Sequence, residues 1–165
     1  MKNWVTFSLL LLLSVGCSAT KEVQVKEIGR TQRFVAYDNG TVKDLTTGLM
    51  WAAKDNGGPI TWEEAKTYCQ NYRGGGYEDW RMPTTEELKD IYNPRLRDPY
   101  PLAEGCKGIC HITRLIQLSC CPIWSWDGIS EVETFFHFSL GPADWRDQSL
   151  ETNRPRALPV RNDDR

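Results

Sequence analysis

The chain has 165 residues, with 20 basic and 22 acidic side chains for a formal charge of -2. That length fits one domain with a short extension and excludes a multidomain enzyme or a long repeat array. The slight acidic excess argues against a nucleic-acid binder, which needs surplus positive charge to neutralise phosphates.

Lys2 is followed by a mostly apolar stretch from Val5 to Leu13 and by Ser14-Val15-Gly16-Cys17. A positive start, a short apolar run and small residues form an export signal. The run is too short to cross a bilayer, which takes about 20 residues. A cysteine directly after a small residue resembles the bacterial lipobox, so residues 1–17 are expected to be a lipoprotein signal ending at an acylated Cys17. Ser14 departs from that pattern, and simple secretion with cleavage near Ala19 is the competing reading. The acidic body would not hug anionic lipid, so the membrane is reached through acyl chains alone. Residues 18–32 read as a polar tether, able to lift the domain by up to roughly 50 Å. Residues 33–162 are the domain.

Phe34 to Tyr37 and Thr41 to Asp44 flank Asn39-Gly40, a hairpin signal. Thr46-Thr47-Gly48 leads into a third strand at Leu49-Met50-Trp51, and Asp55 to Pro59 forms a loop. Thr61-Trp62-Glu63-Glu64 is a capping box that opens a helix, with Trp62, Ala65, Cys69 and Tyr72 on one face. Thr84-Thr85-Glu86-Glu87 opens a second helix. Glu63, Glu64, Glu86 and Glu87 complement the helix dipoles and read as structural.

Asn93 to Pro122 has no period and holds four of the six cysteines. Strands return at Ile123 to Trp126, at Thr134 to Ser139 and near Ala157 to Val160. Strands, two helices, a long loop and more strands make an α+β pattern with small antiparallel sheets.

Thr41 to Trp51, Thr61-Trp62-Glu63-Glu64-Ala65 with Cys69, and Gly75-Gly76-Tyr77-Glu78-Asp79-Trp80-Arg81-Met82-Pro83-Thr84 together resemble the Lcl C-terminal domain, as do Trp124-Ser125 and Arg156 to Arg161. That family is named after the C-terminal domain of a collagen-like adhesin of Legionella, and the resemblance spans Phe34 to Arg161. It implies a C-type-lectin-like fold with two helices on a sheet and a functional long loop, and, through the named member, adhesion to glycosaminoglycans. The tripeptides that hold calcium and sugar in calcium-dependent lectins, Glu-Pro-Asn, Gln-Pro-Asp and Trp-Asn-Asp, do not occur in the sequence. That chemistry does not carry over.

In an oxidising compartment, Cys106 and Cys110 are expected to pair with Cys120 and Cys121, in an order the sequence leaves open. Adjacent Cys120 and Cys121 are poorly placed to bridge each other. Cys69 then remains buried and inert. The competing reading joins Cys106, Cys110, His111, Cys120 and Cys121 into a zinc or copper site; the expectation is no metal and no cofactor. His137, in an aromatic strand, reads as a satisfied structural histidine. Trp51, Trp62, Trp80 and Trp124 are assigned to packing. Trp126 and Asp127, with Trp145 and Arg146, lie beside turn residues where an exposed ring can stack on a ligand, and they are the binding candidates. Arg146, Arg154, Arg156 and Arg161 alternate with acids and read as a solvated mixed surface.

The expectation is a protein lipid-anchored to the cell envelope, at the outer membrane with a periplasmic or surface face. Its domain would be a non-enzymatic binding module for a glycan or envelope protein. The alternatives are a metal- or thiol-dependent enzyme of the formylglycine-generating type and a purely structural envelope subunit.

Overall fold

The computed structural model describes residues 25–97, 101–129, 132–141 and 155–163. Five strands form the main sheet: β1 (Glu27–Arg30), β2 (Phe34–Tyr37), β3 (Thr41–Asp44), β4 (Leu49–Ala52) and β7 (Val160–Asn162), in the order β1-β2-β3-β4-β7. Every pairing is antiparallel, so the chain's last described strand closes against β4, with Met50 opposite Arg161. The β2–β3 hairpin turns at Asn39-Gly40, where Gly40 takes a φ of 80° that other residues rarely adopt. Its N–H donates to the Tyr37 carbonyl at 3.2 Å.

β1 lies inside the segment read as tether, so Glu27–Arg30 belongs to the main sheet. No apolar alternation marks the strand, because Ile28 is 64% exposed and the backbone supplies the attachment. Asp38 N–H donates to the Lys26 carbonyl at 2.9 Å, and the Asp38 carboxylate accepts from Lys26 N–H at 3.0 Å.

The two helices start at the two capping boxes. For α1 (Trp62–Asn71), Thr61 Oγ1 accepts from Glu64 N–H at 3.2 Å and Glu64 accepts from Thr61 N–H at 2.8 Å. For α2 (Thr85–Ile91), the same pair of bonds joins Thr84 and Glu87 at 3.1 and 2.8 Å. Glu87 also holds Arg81 at 2.6 Å, tying the cap to the strand-like segment before it. Thr84→Ala is expected to cost about 1 kcal/mol in urea unfolding. A loss below a few tenths of a kcal/mol would show that Arg81–Glu87 holds this helix start without the hydroxyl.

β5 (Pro122–Ser125) and β6 (Thr134–His137) form a separate hairpin, with Ile123 opposite Phe136. The main core lies between the large sheet, α2 and this hairpin, and contains Val42, Trp51, Leu88, Phe136, Phe138 and Val160. A smaller cluster of Trp62, Ala65, Cys69, Met82, Trp124 and Ala157 seats α1 against β5. Trp62 Nε1 donates to the Ser125 carbonyl at 3.0 Å and Trp124 Nε1 to the Ile60 carbonyl at 2.9 Å. The four tryptophans assigned to packing are all buried.

The last strand starts later than the sequence suggests. Pro159 has no N–H for a ladder, so Ala157 to Pro159 is buried connecting chain. The Pro159 carbonyl still accepts from Ala52 N–H at 2.9 Å.

The aperiodic loop contributes Ile112, Ile116 and Leu118 to the main core. It is closed by disulfides Cys106–Cys120 and Cys110–Cys121, with Cα separations of 5.5 and 5.1 Å. The chain is therefore an α+β domain with two helices, small antiparallel sheets and a doubly stapled loop. No helix among the described residues is long and apolar enough to cross a membrane.

Candidate functional site

Trp126 follows β5, fixed by its N–H donating to the Pro83 carbonyl at 2.9 Å. Its ring meets Trp62 edge-on, with centroids 6.3 Å apart, and the Lys66 ammonium lies 3.9 Å from its centre. One face is thus engaged by a cation, while the residue as a whole remains half-buried. Asp127 is exposed, and its Oδ1 accepts from Ile129 N–H at 2.9 Å, which sets the turn. Beyond it Ile129 and Val132 are 90% and 65% exposed. An indole edge with an ammonium and a carboxylate close by offers an apolar surface, donors and acceptors together. Trp145 and Arg146, the other two binding candidates, lie outside the described residues, as does Cys17.

A second surface was not singled out by the sequence. Along α1, Glu63, Glu64, Tyr68, Asn71, Tyr72 and Arg73 line an open groove of about 540 Å³. The Tyr68 and Tyr72 rings are 5.9 Å apart, and Tyr72 packs edge-on against Trp80 at 5.1 Å. Burial raises both tyrosine pKa values, most simply so for Tyr72, which keeps the hydroxyls neutral and able to donate. Tyr72 is the C-terminal cap of α1 rather than a fully buried member of its core face. Its ring lies across Gly74, where a Cβ would come within 2.3 Å of it. The available signal was the Tyr68-x3-Tyr72 spacing, which stacks two rings on one side of a helix.

The stapled loop borders a third feature. Asp55 accepts from Gly57 N–H at 2.8 Å, Ser119 N–H at 2.6 Å and Ser119 Oγ at 2.9 Å. Burial raises its pKa and outweighs these bonds and the nearby Arg156 charge. Arg156 donates from Nε to Ser119 Oγ at 3.3 Å and from Nη2 to Cys106 Sγ at 3.4 Å. A cleft of about 420 Å³, lined by Lys54, Asp55, Pro101, Gln117, Leu118 and Ser119, opens beside this group.

Two of the arginines read as solvated are buried: Arg156 is 5% and Arg161 8% exposed. Their partners are remote in sequence, which is why local charge alternation misplaces them. Arg161 Nε donates to Asp79 at 2.7 Å and its guanidinium sits 4.0 Å from the centre of the Tyr77 ring.

The soft-metal reading loses its ligands, since all four loop cysteines are in disulfides. Among the described residues no group of three or more His, Cys, Asp or Glu is placed to hold a metal ion. His111 Nδ1 is paired with the Leu96 carbonyl at 2.6 Å, and His137 Nδ1 with Ser139 Oγ at 2.9 Å. Cys69 is the free cysteine of the described residues, and burial pushes its thiol far above the ordinary range. A thiol so placed is a poor nucleophile.

These features define a small α+β domain with a disulfide-stapled loop and aromatic surfaces on and beside its first helix. The family model of the Lcl C-terminal domain matches residues 40–151, and the chain belongs to that family. The match starts inside the β2–β3 hairpin and stops short of the last strand, a narrower span than the motifs suggested. No curated protein and no solved structure matched the chain.

Proposed function

We propose that the protein is an exported lipoprotein, acylated at Cys17, that presents a C-type-lectin-like domain as a non-enzymatic binding module at the cell envelope. Its ligand is a glycan or an envelope protein. The observation that carries this reading is the loop closed by two disulfides on a domain of the Lcl C-terminal family. Such bonds form and persist in oxidising compartments, in keeping with the export signal at the start of the sequence. The loop needs no regular structure to stay ordered, so the surface around it is preformed.

The aromatic surfaces supply the contacts. Trp126 with Lys66 and Asp127 lies on one flank of α1, and the Tyr68–Tyr72 groove lies along its exposed side. Rings with adjoining amide, hydroxyl and charged groups suit a sugar's apolar face and its hydroxyls. Sulfated glycans would need cations at the site, and here Lys66 and Arg73 provide them. With no calcium-binding tripeptide in the sequence, binding should survive chelation.

The test of anchoring is palmitate labelling of the expressed full chain. Label is expected on the wild type and lost in Cys17→Ser; equal labelling of both contradicts the anchor. For the binding surface, Trp126→Ala and Tyr72→Ala are each expected to weaken ligand binding at least tenfold, about 1.4 kcal/mol, while the fold persists. Retention of full affinity by both variants would remove α1 and its flank from the site.

A further inference from the structure

We infer that the Cys106–Cys120 disulfide is a thiol-exchange site, opened by an external dithiol while Cys110–Cys121 stays closed, with Arg156 directing the exchange. The inference is independent of which ligand the domain binds.

The two disulfides are not equivalent. Cys110, Cys120 and Cys121 are 3%, 2% and 1% exposed, whereas Cys106 is only part-buried. Its neighbours Glu104, Gly105, Lys107 and Gly108 are all exposed. Of the four bridged cysteines, Cys106 is therefore the one most open to an incoming thiolate. Cys106 is also the sulfur that Arg156 Nη2 approaches at 3.4 Å. A fixed positive charge at the attacked atom attracts an anionic nucleophile and stabilises a thiolate that later leaves from it.

A thiolate of the dithiol attacks Cys106 Sγ, forming a mixed disulfide, and the Cys106–Cys120 bond breaks with its electron pair going to Cys120, which takes a proton from solvent. The second thiol of the dithiol then attacks its own partner sulfur. Cys106 leaves as a thiolate held by the Arg156 guanidinium. The dithiol is oxidised to a disulfide, and Cys106–Cys120 is reduced by the same two electrons.

Opening has a defined structural consequence. The segment from Pro101 to Ile109 is held to the body by Cys106–Cys120 and by Ala103 N–H donating to the Ser119 carbonyl at 2.8 Å. Pro101 is one wall of the cleft that Asp55, Leu118 and Ser119 complete. Loss of the staple leaves that wall held only by the Ala103–Ser119 bond and by Leu102 packed on the main core, while Cys110–Cys121 keeps the rest of the loop in place. The site thus couples the redox state of the surroundings to the shape of the cleft.

Native oxidised protein would be treated with graded dithiothreitol, alkylated and mapped by mass spectrometry. The expected result is alkylation of Cys106 and Cys120 with Cys110–Cys121 intact and the near-ultraviolet circular dichroism largely retained. Modification of Cys110 and Cys121 first, or of all four at one rate, overturns the proposal. Arg156→Gln is expected to slow opening about tenfold, and Arg156→Lys to restore most of the rate. Because Arg156 is buried and its loss could disturb folding, the wild type gives a second reading. Mercaptoethanesulfonate, corrected for its thiolate fraction, should open the bond faster than cationic cysteamine; the reverse order refutes the role of Arg156.

Discussion

Replacing Asp44 by Ala is expected to destabilise the domain by about 3 kcal/mol, the lower end of the cost of breaking a buried ion pair. The Asp44 side chain is fully buried and accepts from Arg33 Nε at 2.9 Å and Nη2 at 2.6 Å. It also accepts from Thr46 N–H at 3.0 Å and Thr47 Oγ1 at 2.8 Å, which fixes the turn between β3 and β4. Removal leaves Arg33 Nε, Thr46 N–H and Thr47 Oγ1 without this acceptor, while Arg33 Nη2 keeps Asp90. The value stays at the lower end because Arg33 is 29% exposed and keeps its contact with Asp90.

The same residue sets an acid limb in stability. Burial alone would raise the Asp44 pKa, but Arg33 and the turn donors together hold it below its ordinary 3.8. A depressed folded-state value means that the stabilisation is fully present above the unfolded value. It is lost as pH falls through the folded one. Urea unfolding from pH 6 down to pH 2 should therefore show a decline that Asp44→Asn flattens. A wild-type profile with no decline, or one identical in Asp44→Asn, contradicts the assignment.

The second large effect is expected at Trp51. Its side chain is 0% exposed and lies on β4, which pairs with β3 and β7 so that Trp51 stands opposite both Val42 and Val160. Trp51→Ala should cost about 3–5 kcal/mol through lost burial and the cavity left behind. Trp51→Phe separates two contributions. Among the described residues Trp51 Nε1 is a buried donor with no hydrogen-bond partner, so Phe removes an unsatisfied group while keeping a ring. Its cost should be well under half that of Ala. Equal losses in the two variants would contradict the assignment of the cost to burial of the ring.

What the sequence discloses and what it hides divide along the range of the interactions. Asn39-Gly40 and the two capping boxes are complete within four residues, so the hairpin and both helix starts can be read directly. The cysteine sets were legible for a similar reason, since Cys120 and Cys121 strain against a bridge to each other. The order of pairing was not, because it depends on how the loop wraps onto the core. Ile112, Ile116 and Leu118 reach that core from irregular backbone, which imposes no period on them. β1 stayed hidden because an exposed edge strand needs only backbone bonds.

The candidate site shows the same division. Trp126 and Asp127 stood out beside a turn signal; in the structure Asp127 is exposed at that turn, whereas the Trp126 ring is half-buried with Lys66 over it. Tyr72 fell on the apolar face of α1 by helical spacing. The helix ends beside it and Gly74 leaves room for its ring, so it contributes to a groove rather than only to the core. The burial of Arg156 and Arg161 required Ser119 and Asp79, partners 37 and 82 residues away. Charge patterning has no access to such pairs.

The central claim is that this domain binds a ligand through its own preformed surface. The most direct measurement is glycan and glycosaminoglycan array binding by oxidised soluble protein lacking residues 1–17, with and without chelator and across salt concentrations. Saturable binding that survives chelation and is weakened by Trp126→Ala or Tyr72→Ala is the predicted result. Absence of binding to every glycan, together with failure to retain any envelope protein in a pull-down at low salt, would contradict the account.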